Sequence, residues 1–291
     1  MIRRLRMAVA TVRNRIHGDF LMPSRLDAYR SLIDRALEAG YTITSVGGFW
    51  ANRTSNAASG SARWLVLRHD IDTDPRTAAE LWRIDRSRAA VSSYFFRLST
   101  LDLDLMARIR QEGGEASYHF EELATIAKAR RIRRREDALA ALPDARAMFL
   151  DNVAWLRDRT ALPIRVVASH GDFVNRRLDV ANRALLEDRG FRDSAGIELE
   201  AYDEPLVRLL TSRHSDAAPP AGWTGEDPLL AIARHDAAIQ VLIHPRNWYA
   251  RRRTNAADDL LRIWEGAAYR WSWLPGARGS ALPAARGPRP R

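Results

Sequence analysis

The sequence holds no cysteine and, among its 291 residues, a single lysine, Lys128. The first absence excludes disulfides and thiolate ligands, so any metal site must be built from His, Asp or Glu. The second makes the positive charge almost wholly arginine: Lys and Arg total 46 against 36 acidic residues, a formal net charge of +10. The arginines are scattered along the chain rather than gathered on one tail, which argues against a nucleic-acid partner. Anionic sugars, glycans or membrane surfaces suit the charge better. No apolar run approaches the roughly 20 residues that span a bilayer. The opening MIRRLRMAVATVRNRIHGDF has an apolar stretch, MAVATV, below the roughly 7–15 residues of a secretory signal core. A cytoplasmic protein without a transmembrane segment is expected. A Gly-x-Gly-x-x-Gly after the first strand, a Walker loop and a Gly-x-Ser-x-Gly are all missing, which removes the nucleotide-binding doubly wound sheets and the serine hydrolases.

What is present is a chain 46% apolar, enough to fill a sizeable core. Segment 24–40 predicts an amphipathic helix whose Leu26, Tyr29, Leu32, Ile33 and Leu37 share a face, stopped by Gly40. YTITSV alternates as a strand, and ANRTSNAASGSA reads as a polar loop. The chain then repeats one rhythm of apolar run, polar cluster and helix. Its runs are WLVLR (64–68), SSYFFR (92–97), EASYH (115–119), IRVVASHGD (164–172), LVRLLTS (206–212) and IQVLIHP (239–245). Asp74-Pro75 and Asp227-Pro228 carry helix-start signals, RRLDVANRALLEDRG reads as one helix, and an arginine-rich helical region (121–159) breaks near Pro143. Alternating strands and helices imply an α/β fold with a mainly parallel sheet, open or closed into a barrel. The expected organisation is a basic N-terminal segment (1–23), one domain (24–275) and a disordered Gly/Pro/Arg-rich tail (276–291).

Four of the seven histidines end an apolar run: His69, His119, His170 and His244. Arg97 ends another, and Asp70 and Asp72 follow His69. In a barrel of parallel strands all carboxyl ends open on one face, so such residues converge. Imidazole and carboxylate together suit zinc, with manganese, cobalt or nickel as alternatives, and the chemistry they support is metal-assisted hydrolysis. Trp248 is a candidate pocket wall, and Trp64 and Trp82 read as core. KARRIRRRE (128–136) reads as a solvated face, and His214 as equally a site or a surface residue.

The ordered set YRSLIDRALEAGYTITSV, LVLRHDIDTDPRTAAELWRIDRSRAAVSSYFFRL, GGEASYHFEEL, VVASHGD and VLIHPRNW resembles the polysaccharide deacetylases of carbohydrate esterase family four. More narrowly, it resembles a bacterial subgroup with RHD-x-D, YHxE, HG and HP-x-x-W segments. The likeness covers about residues 25–250. It implies a distorted (β/α) barrel of about seven parallel strands in a single domain, and hydrolysis of the N-acetyl group of a sugar or cell-surface glycan precursor. The resemblance makes Asp70 the general base, Asp72 and His119 metal ligands, and His244 the general acid. It puts His170 at the site as a third ligand or a substrate contact, and His69, Arg97 and Trp248 near the substrate. Two departures stand out. Position 123 is Leu where better-known members have a second histidine, with Glu121 or Glu122 as replacement and Glu121 favoured by the subgroup pattern. ASHGD also replaces an Arg-x-Pro-Tyr segment. The alternative is a catalytically silent relative that binds a glycan or partner.

Overall fold

The structure is a computed structural model, and it describes residues 16–55, 62–217 and 222–271. The expected tail at 276–291 and residues 1–15 of the basic segment lie outside the described residues. The described residues fall into two compact units. The first takes the chain up to Phe95, Asp102–Ala116 and Asp203–Ala256; the second takes Phe96–Leu101, Ser117–Tyr202 and the chain from Ala257.

The first unit is built on β2 (Arg63–Ile71), whose residues from Leu65 onward are all buried. It pairs in parallel with β1 (Tyr41–Thr44) and with β9 (Ala238–Ile243), and β9 pairs in parallel with β7 (Ser212–Asp216). β3 (Ser93–Phe96) also lies beside β2. Alternation along β2 places Leu65, Leu67 and His69 on one face and Val66, Arg68 and Asp70 on the other. The first face joins a core of Tyr29, Leu32, Ile33, Leu81, Ile84 and Trp248. Full burial of each large apolar side chain is worth about 1.5–3 kcal/mol.

The helix Leu26–Glu38 buries Tyr29, Leu32, Ile33 and Ala36. Leu37, expected on that face, is 40% exposed, because Ala36 holds the inward position. Gly40 ends the helix at φ +78°, a conformation open to glycine at no steric cost. Asp74 caps the next helix, Pro75–Ser87, by accepting from Thr77 N at 3.1 Å, with Pro75 at its start. The expected loop after YTITSV begins instead as a helix, Val46–Thr54, which Ser45 caps by accepting from Gly48 N at 3.0 Å. Residues 56–61 of that segment are not described.

The second unit carries most of β4 (Glu115–Phe120), then β5 (Val166–Ser169) and β6 (Leu199–Glu200), paired in parallel in that order. Tyr118 and Phe120 point to one face and meet Phe149 of the helix Leu142–Thr160 at ring-centroid distances of 6.1 and 5.2 Å. Alternation turns His119 to the opposite face. The segment expected as one helix, RRLDVANRALLEDRG, is three pieces: Phe173–Leu178, a 3-10 turn Asn182–Leu186, and Arg189–Ser194. Asp179 at φ +52° ends the first piece, and Asn175 Nδ2 bonds Val180 O at 2.8 Å to hold the corner.

The α/β class and the mostly parallel pairing match the expectation, but the closed barrel of about seven strands does not. Nine strands are assigned among the described residues, and neither unit's strands form a ring. In the first unit the order ends on β8 (Trp223–Thr224), which pairs antiparallel with β7. In the second it ends on β6, two residues long. The strand expected at 206–212 is also displaced. Glu204–Val207 is a short helix, and the strand is the polar segment that follows, Ser212–Asp216.

Candidate functional site

The HDIDTD cluster resolves into three aspartates with three different surroundings. Asp74 is the helix cap described above. Asp70, still within β2, receives Arg68 Nε on Oδ1 at 2.8 Å and Arg68 Nη2 on Oδ2 at 2.7 Å, and both side chains are buried. A two-pronged bond of this kind holds the carboxylate in one plane and leaves each oxygen a second lone pair. Asp72 lies in the bend between β2 and the Pro75 helix.

His69 faces the core rather than sharing the face of Asp70. Its Nδ1 donates to the Ser93 carbonyl at 3.0 Å, its Nε2 is 2.8 Å from the Tyr29 hydroxyl, and its ring stacks on Tyr94 with centroids 4.1 Å apart. The Tyr29 hydroxyl is also 2.6 Å from Asp85 Oδ1. One hydroxyl hydrogen cannot serve both neighbours. The Tyr29 hydroxyl donates to Asp85 Oδ1 or to the His69 Nε2, one at a time. Burial pulls His69 down to about 3, and burial pushes Asp85 up to about 7 against the hydroxyls of Ser92, Tyr29 and Tyr94. His69 is thus a buried neutral residue of the core layer, with both ring nitrogens held by the protein.

His244 follows β9 and is supported by a residue that the sequence reading did not single out. Asp216, at the end of β7, is 2.6 Å from His244 Nδ1 through Oδ1. Its Oδ2 accepts the His244 backbone N–H and the Trp248 indole N–H, both at 2.8 Å. Burial works against a charged His244, but Asp216, then Asp72 and Asp70, raise its pKa to about 10. Trp248 itself is 1% exposed, packed edge-on against Tyr29 and Trp223 with the Arg25 guanidinium over its ring. It holds Asp216 from within the core and offers no open face for a sugar. His214, left as a site or surface candidate, is buried in β7, with Nδ1 on Glu226 O at 3.0 Å.

In the second unit His119 and His170 lie with ring centroids 5.2 Å apart. His119 Nδ1 donates to the Ala168 carbonyl at 2.9 Å, and His170 Nδ1 is 3.0 Å from Glu121 Oε2. Glu121 also takes the Arg97 guanidinium, through Nη2 at 2.7 and 2.9 Å and Nε at 3.0 Å. Burial opposes its charge, but Arg97, His170 and Lys128 hold the carboxyl well below the usual range. Asn182 fixes the turn beyond, donating to His170 O at 2.7 Å and accepting from Ala124 N at 3.0 Å. Lys128, expected on a solvated face, has a side chain only 8% exposed and bridges Asp172 at 3.0 Å and Glu265 at 3.1 Å.

The donor chemistry tests which residues fit a metal. Glu121, His170 and Asp172 have potential ligand atoms within 4.8 Å of one another. Each carboxylate in that trio already holds a cation, Arg97 or Lys128, so the trio is an ion-pair network and Glu121 is poorly disposed as a ligand. His119 and His170 fit well. Metal-bound histidines characteristically give their other ring N–H to a carbonyl or carboxylate. Both histidines have that arrangement through Nδ1. Leu123, at the position of the missing histidine, is buried at 1% exposure and is a core residue.

Of the residues singled out in the sequence, Asp70, Asp72, His69, His244 and Trp248 lie in the first unit, and Arg97, His119, Glu121 and His170 in the second. Missed were Arg68, Asp216, Asp85 and Asp172. Only Arg68 carried a signal, as a charge at the end of an apolar run. Among the described residues, no helix is long and apolar enough to cross a membrane. The chain matches no protein-family model, no curated protein and no solved structure.

Proposed function

We propose that the chain is a metal-dependent amide hydrolase that removes the acetyl group from an N-acetylated sugar or glycan precursor, as the likeness to the polysaccharide deacetylases implies. The observation that carries this reading is the His244–Asp216 pair. A histidine at a strand end, held charged by a buried carboxylate in the unit that also contains Asp70 and Asp72, is a proton donor ready for a departing amine. Asp70, kept ionised and oriented by Arg68, accepts the proton of the attacking water. His244 then delivers its Nε2 proton to the sugar nitrogen as the acyl C–N bond breaks, and Asp216 stabilises the ring in both states. In the second unit, His119 and His170 are the residues that would hold a divalent ion. Such an ion, when bound, supplies polarisation of the acyl carbonyl and a water pKa near 7. Arg97 and Glu121 serve as the clamp that orients His170.

A second reading, a silent glycan-binding relative, is favoured by one observation: Glu121, the substitute for the missing ligand, is committed to Arg97 and His170. Metal content separates the two. Protein purified without chelating resin is expected to carry about one zinc, manganese, cobalt or nickel ion per chain, lost in His119→Ala/His170→Ala, and to release acetate from N-acetylated sugars. A wild-type protein that stays metal-free after incubation with those ions would leave the silent reading. Asp70→Asn leaves Arg68 buried without its carboxylate, so loss of turnover in that variant counts only alongside an unfolding curve. His244→Gln is the cleaner test of proton donation.

A further inference from the structure

The helix Arg252–Arg270 turns its sides the opposite way from an ordinary surface helix. From Ala257 onward its inward side is polar. Glu265 pairs with Lys128 at 3.1 Å, and Tyr269 donates to the Ile132 carbonyl with Arg133 over its ring. Its outward side is apolar: Leu260 is 68% exposed, Leu261 51%, Ile263 69% and Trp264 44%. At 100° per residue Ala257, Leu260, Leu261, Trp264 and Trp271 form one stripe. The remaining exposed residues of 252–271 are Arg252, Arg253, Arg262 and Arg270, while Asp258, Asp259 and Glu265 are all less exposed. The open face therefore combines large apolar side chains with arginine and no acid.

We propose that this face is a docking surface for an anionic membrane, with the helix lying in the plane of the interface. The charge selects the occupant. A face of leucine, isoleucine and tryptophan whose most exposed charges are arginines matches an acyl boundary beneath anionic headgroups, and tryptophan favours that level of a bilayer. A second copy of the chain would bring the same cationic rim against itself. The geometry also accounts for two of the acids. Glu265 fastens the helix to its own unit through Lys128, and Asp258 is taken up by Arg262 along the helix.

The test is co-sedimentation of the full chain with phosphatidylcholine vesicles and with phosphatidylcholine–phosphatidylglycerol vesicles. Binding is expected only to the anionic vesicles, to weaken as salt screens it, and to fall about tenfold or more in Leu260→Asp/Ile263→Asp. An unchanged thermal midpoint in that variant shows that its fold survives, since both positions are exposed. Arg253→Glu/Arg270→Glu is expected to weaken binding while leaving the apolar stripe intact. No binding to anionic vesicles, or equal binding by the variants, overturns the proposal. So does a wild-type dimer by light scattering that the Leu260→Asp/Ile263→Asp variant abolishes, which would assign the face to a second copy.

Discussion

His244 in the first unit and His170 in the second both lean on a carboxylate through Nδ1, at 2.6 and 3.0 Å. The carboxylates differ in what else they hold. Asp216 takes two neutral donors, a backbone N–H and the Trp248 indole, so its full negative charge acts on the imidazole. Glu121 takes the Arg97 guanidinium, which cancels that charge while keeping the direction of the bond. One arrangement produces a charged ring able to give a proton. The other shares its carboxylate between the ring and a guanidinium and fixes the ring's direction. The same pair of residue types thus serves two purposes according to the third group present.

The contrast is most directly broken at Asp216. Asp216→Asn removes the main source of His244's raised pKa and leaves Asp72 and Asp70 against burial, so the ring is expected to titrate well below the value near 10. Because a general acid works only while protonated, the alkaline loss of activity should move down in pH by the same interval. A histidine titration followed by NMR reads the first shift, and a pH–rate profile reads the second. An unmoved His244 would show that Asp72 and Asp70 supply the charge.

Arg68→Met leaves Asp70 buried without a cation and is expected to cost about 3–5 kcal/mol in urea unfolding. Arg97→Met should cost less, because that pair is 12% and 16% exposed whereas Arg68 and Asp70 are 0% and 3%. Equal losses would remove the distinction between the two units' ion pairs.

Glu122 gives a test whose sign is set by pH. It is buried beside Glu121, with Oε1 taking Tyr118 and Asn152 at 2.6 and 2.9 Å and Oε2 taking no partner among the described residues. Burial pushes its pKa from 4.5 to about 7. The folded chain therefore keeps a proton that the unfolded chain has lost, and wild-type stability from this group falls as pH rises from 4.5 to about 7. Glu122→Gln is expected to match wild type below that window and to be more stable above it, by about 3 kcal/mol. Denaturation at the two ends checks it. A variant less stable at high pH would mean that the carboxylate is ionised and paired. The smallest effect expected is for Trp248→Phe, which keeps the ring packing and removes one of two N–H donors to Asp216 Oδ2. A cost of about 1 kcal/mol and a modest fall in the His244 pKa would place the indole as support for Asp216 rather than as part of a sugar pocket.

The residues legible in the sequence were those that end apolar runs. Leu65–Leu67, Val167–Ala168 and Ile239–Val241 are buried strand segments, and the polar residue after each run stood out by contrast. Asp216 was illegible because its strand reads Ser-Arg-His-Ser-Asp. β7 is a strand because β9 pairs with it, His214 opposite Val241 and Ser215 opposite Leu242, and no local pattern records that partner. The break at Asp179 was hidden for a similar reason. RRLDVANRALLEDRG has helical spacing, but Asn175 and Asn182 use their side chains on the backbone around His170, and the chain turns there. Glu121 was read as a ligand because spacing shows which oxygens are present. It does not show that Arg97, 24 residues earlier, has already taken them.

Lys128 gives the second unit a built-in reporter. It is the only side-chain amine in the sequence, and burial opposes its charge less than Asp172, Glu121 and Glu265 favour it, so its pKa is raised. An amine acylates only when neutral and reachable, and this one is neither while the unit is closed. Mass added at Lys128 by an amine-reactive reagent, or cleavage after it by a lysine-specific protease, would count openings of the second unit one at a time. Because no other side chain competes for either reagent, the rate of that single event would measure how often Glu121, Asp172 and their histidine come apart.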